Sequence, residues 1–151
     1  MKVKLQILLP LFAFTSISAI VTTPLVANAN ECQSAISYGE QKINGVNNAN
    51  LVYSETRAHG YSEYPAGRSK SHIFAINGGG VEDIMSSPLF MTDIATHIIS
   101  SCNSIGVVDF GVYQSGWILS FGIMWNGQIE EFECISPGRN IDADWGYYVC
   151  T

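Results

Sequence analysis

Residues 107–135 constrain the fold of this chain more than any other stretch. Apolar and polar residues alternate there as they do along β-strands, and two turn sequences, Ser115-Gly116 and Asn126-Gly127, divide the stretch into three. Asn-Gly favours a type I′ turn, because both central residues of that turn take positive φ. With a two-residue loop at each turn, three rings stand side by side on one face of an antiparallel meander: Phe110, Phe121 and Phe132.

The register of this meander also determines which face of the sheet each of its charged residues occupies. Side chains alternate between the two faces of a strand, so a slip of one residue transfers every side chain to the opposite face. The two turns, taken independently, give the same faces. They turn Glu130 toward the apolar face and turn Glu131 and Glu133 away from it. We therefore expect the face with the three rings to be the side that a helix covers.

The rest of the chain supplies one clear helix and several shorter elements. Residues 87–101 carry apolar side chains at helical spacing, with Pro88 in the first turn and Ser86 or Ser87 as the capping residue. Weaker patterns predict a short helix at 31–43, strands at 51–58 and 71–76, and a last short strand near the C-terminus. The predicted fold class is therefore α+β: an antiparallel sheet of about five strands, with the C-terminal meander and one main helix packed on its apolar face.

Residues 1–29 have the features of a secretory signal peptide. Lys2 and Lys4 precede an uncharged, mostly apolar stretch at 5–21, and Ala27-Asn28-Ala29 is a small-x-small cleavage site. The alternative, a retained membrane anchor, is disfavoured because polar residues interrupt the stretch and it falls short of the roughly 20 residues that span a bilayer. We predict cleavage after Ala29, one disulfide-bridged domain over residues 30–151, no membrane association after cleavage, and a periplasmic or secreted location.

The exported part of the chain contains four cysteines: Cys32, Cys102, Cys134 and Cys150. An even number of cysteines in an exported domain indicates disulfides, and four cysteines allow three pairings. The pairing that we favour joins Cys32 to Cys102 and Cys134 to Cys150. A zinc site is disfavoured, because no two of the cysteines have the close spacing of zinc-binding pairs.

The surface of the predicted domain indicates what it binds. The chain has a formal net charge of −6, which becomes more negative when the leader lysines are removed, so nucleic acid and anionic membranes are not expected partners. Within residues 59–68, Tyr61 and Tyr64 offer rigid contact area and Arg68 offers a planar donor fork. These three residues predict an exported, non-catalytic module that binds a protein, a peptide or a glycan. Three more aromatic residues are further candidates for such contacts: Trp145, Tyr147 and Tyr148.

Catalysis is the alternative. The sequence has no G-x-S-x-G motif, and paired cysteines leave no free thiol as a nucleophile. His97 is expected at the boundary of the apolar stripe, and His72 either packs or points outward, which leaves His59 with a carboxylate as the acid–base pair of a small exported hydrolase. Residues 140–146 place oxygen ligands at alternate positions, as a calcium loop does, but Trp145 stands where such a loop needs glycine. We therefore expect no metal and no cofactor.

Residues 87–136 also carry a recognisable set of motifs. A helix that ends in cysteine is followed by VVDFGV, then by FG-x-M, and then by E-x-F-E-C. In these features the chain resembles a group of small exported proteins of cyanobacteria. The resemblance implies export and does not imply a particular activity.

Overall fold

The computed structural model describes residues 24–136 and 144–149, and its fold class is α+β, as predicted. Five strands form one sheet in the order β1-β2-β3-β4-β5, and two short strands form a second sheet. The helices are α1 (Pro24–Asn44), α2 (Val81–Met85) and α3 (Pro88–Ser101). The strands are β1 (Asn50–Ala58), β2 (Lys70–Asn77), β3 (Ile105–Val112), β4 (Ile118–Ile123), β5 (Ile129–Glu131), β6 (Glu133–Ile135) and β7 (Tyr147–Val149).

The five-stranded sheet is mixed, which differs from the antiparallel sheet that the sequence predicts. Strands β2 and β3 pair in parallel, whereas the other three pairs of the sheet are antiparallel. The chain between β2 and β3 contains α2 and α3, and a helical crossover of this kind returns the chain to the same end of the sheet. The β-α-β order therefore dictates the parallel pair.

Two helices, α1 and α3, cover one face of the sheet, which we call the helix-covered face. Their apolar side chains pack with Phe74, Phe110 and Phe121, and the last two rings lie 5.9 Å apart between centroids. Gly39 lets α1 approach closely, since a Cβ there would lie 2.8 Å from Phe74 Cζ. Helix α3 begins directly after Ser87, as predicted, but the Ser87 side chain makes no capping hydrogen bond. The predicted main helix thus shares its role with α1.

The disulfide between Cys32 and Cys102 joins α1 to the residue that ends α3, and it confirms the first predicted pairing. Cys134 is also disulfide-bonded, whereas Cys150 lies outside the described residues. Helix α1 extends upstream of the predicted cleavage site, so a chain cut after Ala29 would keep residues 30–44 of this helix. Of the helices described, none combines the length and the hydrophobicity that crossing a bilayer requires.

The three-strand meander is present, and its first hairpin preserves the predicted faces. The amide of Val112 donates to the carbonyl of Trp117 at 2.9 Å, which closes a four-residue loop in place of the predicted two-residue loop. The pairing is therefore shifted by two residues, so that Phe110 lies opposite Leu119 and not opposite Phe121. A shift of two leaves every side chain on its own face.

The second hairpin differs by one residue, and this moves Phe132. Gly127 has φ 84° while Asn126 does not have positive φ, and the Met124 amide donates to the carbonyl of Gln128 at 2.7 Å. The turn is therefore a three-residue loop with glycine in the left-handed position, not a type I′ turn. Phe121 pairs with Glu131, so the predicted row of three rings is wrong: Phe132 lies on the face opposite the helices.

The same shift exchanges the glutamates of β5. Glu130 lies opposite Gly122 and shares the helix-free face with Phe132, whereas Glu131 pairs with Phe121. Both carboxylates are exposed at the edge strand. The prediction that Glu130 faces the apolar side is therefore wrong as well, for the same reason.

Candidate functional site

A pocket of about 460 Å³ opens on the helix-free face of the sheet, and a buried carboxyl lies in its lining. Asp109 comes from the central strand β3, where its neighbours Val108 and Phe110 point to the helices and are fully buried. Its own side chain is 8% exposed and faces the other way. The polar residues that line the pocket with it come from strands β1, β2 and β4 and from the segments after β1 and within β7: Arg57, His59, Tyr61, Ser71, Ser120 and Tyr148.

Serine hydroxyl groups donate hydrogen bonds to this carboxyl. Ser120 lies directly opposite Asp109 in the register of β3 and β4, and its Oγ donates to Asp109 Oδ1 at 2.7 Å. Burial raises the pKa of Asp109, while hydrogen bonds from Ser120 and Ser71 and the charges of Arg57 and His59 act in the opposite direction. Within the described part of the chain, one salt bridge is found, between Lys42 and Asp93, and Asp109 takes part in no salt bridge. The carboxyl is therefore held mainly by neutral partners.

Five rings pack together beside the pocket, and we call them the aromatic cluster: His59, Tyr61, Tyr64, Phe132 and Trp145. Trp145 is at the centre of this cluster, with centroid distances of 5.2 Å to Phe132 and Tyr61 and 5.3 Å to His59. Its Nε1 donates to the carbonyl oxygen of Ile123 at 2.8 Å. Trp145 and Phe132 are buried, so Tyr61 and Tyr64 form the accessible side of the cluster.

Two glycines make room for the buried rings of this cluster. A Cβ on Gly122 would overlap the ring of Phe132 and lie 2.9 Å from Val107 Cγ2. A Cβ on Gly106 would lie 2.8 Å from Trp145 Cη2. Strands β3 and β4 thus present a flat patch against which Phe132 and Trp145 pack.

His59 lines the same pocket as Asp109, and its orientation is fixed. Its Nε2 lies 2.6 Å from the carbonyl oxygen of Arg68, which can only accept, so Nε2 carries the proton. Its Nδ1 is buried and has no hydrogen-bond partner in the described residues.

Arg68 acts within the fold. Its Nη1 donates to the carbonyl oxygens of Ile99 at 2.8 Å, Cys102 at 2.9 Å and Ile105 at 2.9 Å. The first two carbonyls belong to the C-terminal end of α3, where carbonyls lack partners within the helix, and that of Cys102 also accepts from the amide of Ile105 at 3.1 Å. The guanidinium that the sequence offered to a ligand is thus engaged with the backbone, and burial lowers its pKa.

The two tyrosines of the pocket are held in their neutral form. Burial raises the pKa of Tyr61 far above its ordinary value, and the charges of Asp109 and Tyr148 act in the same direction. Burial also raises the pKa of Tyr148, with a smaller contribution from Glu131. Both phenols can therefore donate a hydrogen bond to a molecule in the pocket.

The other predicted candidates are distributed as follows. Tyr148 lines the pocket, and Tyr147 beside it is 39% exposed. His72 is buried between the hydroxyls of Ser54 and Thr56, and burial lowers its pKa to about 4. The exposed ring of His97 packs on Tyr38, 4.6 Å between centroids. Residues 140–143 of the calcium-like stretch lie outside the described residues. Among the described residues there is no cluster of side chains that could hold a metal ion.

Sequence reasoning missed the buried carboxyl of the site. Asp109 lies inside VVDFGV, a strand segment in which it is the one charged residue. A charged residue within a buried strand costs stability unless it is paired or serves a function. That contrast is the signal that could have identified it.

Two further hollows continue from the pocket along the helix-free face. Ile118 lines all three, so they follow one another over β4. Trp117, 47% exposed, lines both of the further hollows, and Tyr53 and Tyr113 line the smaller one. The site is therefore one end of a longer groove.

No family model, curated protein or solved structure matches this chain. The function must therefore be inferred from the chemistry of the pocket.

Proposed function

We propose that this protein is an exported, non-catalytic binding module, which holds its ligand in the pocket over Asp109. One observation carries the proposal: a carboxyl that is 8% exposed, in the middle of a sheet, next to an open pocket. Asp109 forms no ion pair among the described residues, burial of such a carboxyl costs stability, and such residues are concentrated at functional sites. A ligand that hydrogen-bonds to Asp109 would account for this cost.

The aromatic cluster supports recognition at the rim of the pocket. Tyr61 lines the pocket and packs against Trp145, so its ring is rigid before a ligand arrives. Tyr64 is 36% exposed and packs on His59 at 4.7 Å. Rigid aromatic side chains lose little conformational entropy on binding, which suits them to contact a protein, a peptide or a glycan.

The compartment forms part of the same proposal. The disulfide between Cys32 and Cys102 is typical of proteins that fold in an oxidising environment. Together with the predicted leader at residues 1–29, it supports export to the periplasm or the medium. The acidic net charge disfavours nucleic acid as a target, because the phosphates would be repelled.

The test uses the chain over residues 30–151, immobilised and exposed to the culture medium and the periplasmic extract of the native host. Wild type should retain a ligand that Tyr64→Ala and Asp109→Asn retain less well. Leu89→Ala is the control, because Leu89 is 85% exposed on α3, on the other side of the sheet. Equal retention by all four proteins would refute recognition at this site.

A small exported hydrolase is the second candidate, because one pocket joins His59 and Asp109. An imidazole and a carboxyl, whose pKa burial raises, are the groups that acid–base catalysis would need. Turnover of chromogenic ester, peptide or glycoside substrates, lost in both His59→Asn and Asp109→Asn, would favour this candidate. Ligand retention without turnover would favour the binding module.

A further inference from the structure

We propose that the pocket over Asp109 binds one unit of a neutral saccharide chain, an inference that rests on the recognition function proposed above. The polar groups of the pocket are an acceptor and several hydroxyls. Asp109 offers carboxyl oxygens, and Ser71 and Ser120 offer the lone pairs of their hydroxyl oxygens. Because Ser120 and Ser71 direct their protons to Asp109, these groups offer a ligand acceptors, and the hydroxyls of a sugar ring are the complementary donors.

The charges of the pocket favour a neutral ligand. Arg57 and Asp109 line it together, with the guanidinium on the exposed strand β1 and the carboxyl buried in β3. An anionic ligand would face the carboxyl, and a cationic ligand would face the guanidinium. The net charge of the chain, −6, further disfavours acidic glycans.

The walls of the pocket suit the apolar faces of a sugar ring. Tyr61 and Tyr148 contribute aromatic rings with phenol donors, and Ile118 and Val149 contribute aliphatic surface. Amphipathic aromatic rings of this kind offer an apolar body and a polar tip. The volume of about 460 Å³ lies within the range of about 300–1,000 Å³ that is usual for small-molecule sites.

The groove extends the site beyond one unit. From Ile118 it continues to the hollow lined by Tyr53 and Tyr113, which are 44% and 37% exposed. Their rings lie 6.4 Å apart between centroids, and an exposed aromatic pair along the same groove fits a second sugar ring. This arrangement favours a chain over a monosaccharide.

The experiment is calorimetric titration of the chain over residues 30–151 with oligosaccharides that differ in charge. N-acetylglucosamine and galactose oligomers are the neutral probes, and glucosamine and galacturonate oligomers are their cationic and anionic counterparts. We expect binding of a neutral oligomer that weakens about tenfold or more in Asp109→Asn and in Arg57→Gln, because each loses charge-assisted hydrogen bonds. Asp83→Asn, an exposed residue of α2, is the matched control and should bind as wild type does. Arg57 lies on the surface, so Arg57→Gln tests the same pocket without changing a buried residue.

Tyr53→Ala tests the length of the ligand, since it should weaken binding of the oligomer more than binding of the corresponding monosaccharide. Stronger binding of a charged oligomer, or no binding of any neutral oligomer, would overturn the saccharide inference. If the immobilised domain still retains a host ligand through Tyr64 and Asp109 in that case, the binding function stands with another ligand class. If neither experiment detects a ligand, both proposals fail.

Discussion

Replacement of Arg68 by alanine should lower the free energy of unfolding by about 2–4 kcal/mol. The side chain is half-buried, and its Nη1 joins three backbone carbonyls, two at the end of α3 and one at the start of β3. A residue that merely contacts a ligand would have little effect on stability. The stability of Arg68→Ala thus distinguishes a role of Arg68 in folding from the binding role that its sequence context predicts.

The magnitude is set by the geometry. Nη1 has two hydrogens for three acceptors at 2.8–2.9 Å, so the contacts are equivalent to two charge-assisted hydrogen bonds. Each such bond contributes about 1.5–3 kcal/mol, and water reaching the vacated carbonyls offsets part of the loss. The favourable interaction of a cation with a helix C-terminus adds about 0.3–1 kcal/mol.

Urea denaturation followed by far-UV circular dichroism measures the loss. Arg68→Lys keeps the charge without the planar fork and should give an intermediate value. Lys70→Ala, which removes an exposed cation at the start of β2, is the control and should stay within about 0.5 kcal/mol of wild type. If Arg68→Ala also stays within that range, the three hydrogen bonds contribute nothing net and the reasoning is refuted.

Buried groups give four further predictions. Burial raises the folded-state pKa of Asp109 above its ordinary 3.8, so stability is lost as pH rises above that value. Asp109→Asn should therefore have a higher melting temperature than wild type at neutral pH, and this difference should vanish near pH 4. A difference in melting temperature that does not depend on pH would contradict this. Burial lowers the pKa of His72 from 6.5 to about 4, so wild type should lose up to about 3 kcal/mol as pH falls through that window, and urea titrations of His72→Gln should show a flatter profile. Joint replacement of Cys32 and Cys102 by serine opens a 70-residue loop and should cost about 4 kcal/mol in the same assay; a cost below about 1 kcal/mol would show that the unfolded chain is not constrained by the bond. Gly122→Ala should cost about 1–3 kcal/mol, because its Cβ overlaps an aromatic ring, and an unchanged melting temperature would mean that the ring moves freely.

The fold class can be predicted from the sequence because its signals are local. Alternation locates the strands of the meander, and helical spacing with Pro88 locates α3. The parallel pairing of β2 and β3 depends instead on a crossover between distant segments, and the antiparallel prediction overlooks it. The position of Phe132 depends on whether the Asn126-Gly127 hairpin has two or three loop residues, and both loops are compatible with that dipeptide.

The site is less accessible to sequence reasoning, because its residues meet only in the folded chain. Tyr61 and Tyr64 stand out by residue type, and they do lie beside the pocket. Arg68 looks the same in sequence whether its guanidinium meets a ligand or the carbonyls of a helix about 30 residues away. Asp109 acquires its importance from Ser120 across the sheet, a pairing that the predicted register places two residues away.

The alternation along β3 and β4 has a consequence for how this protein tolerates mutation. Val108 and Phe121 point into the helices, so changes there should reduce how much of the protein accumulates. Asp109 and Ser120, one position along each strand, point to the open side, and changes there should alter what the accumulated protein retains. In a saturation library sorted once for abundance and once for ligand retention, alternate positions along each strand should therefore be sensitive to different selections.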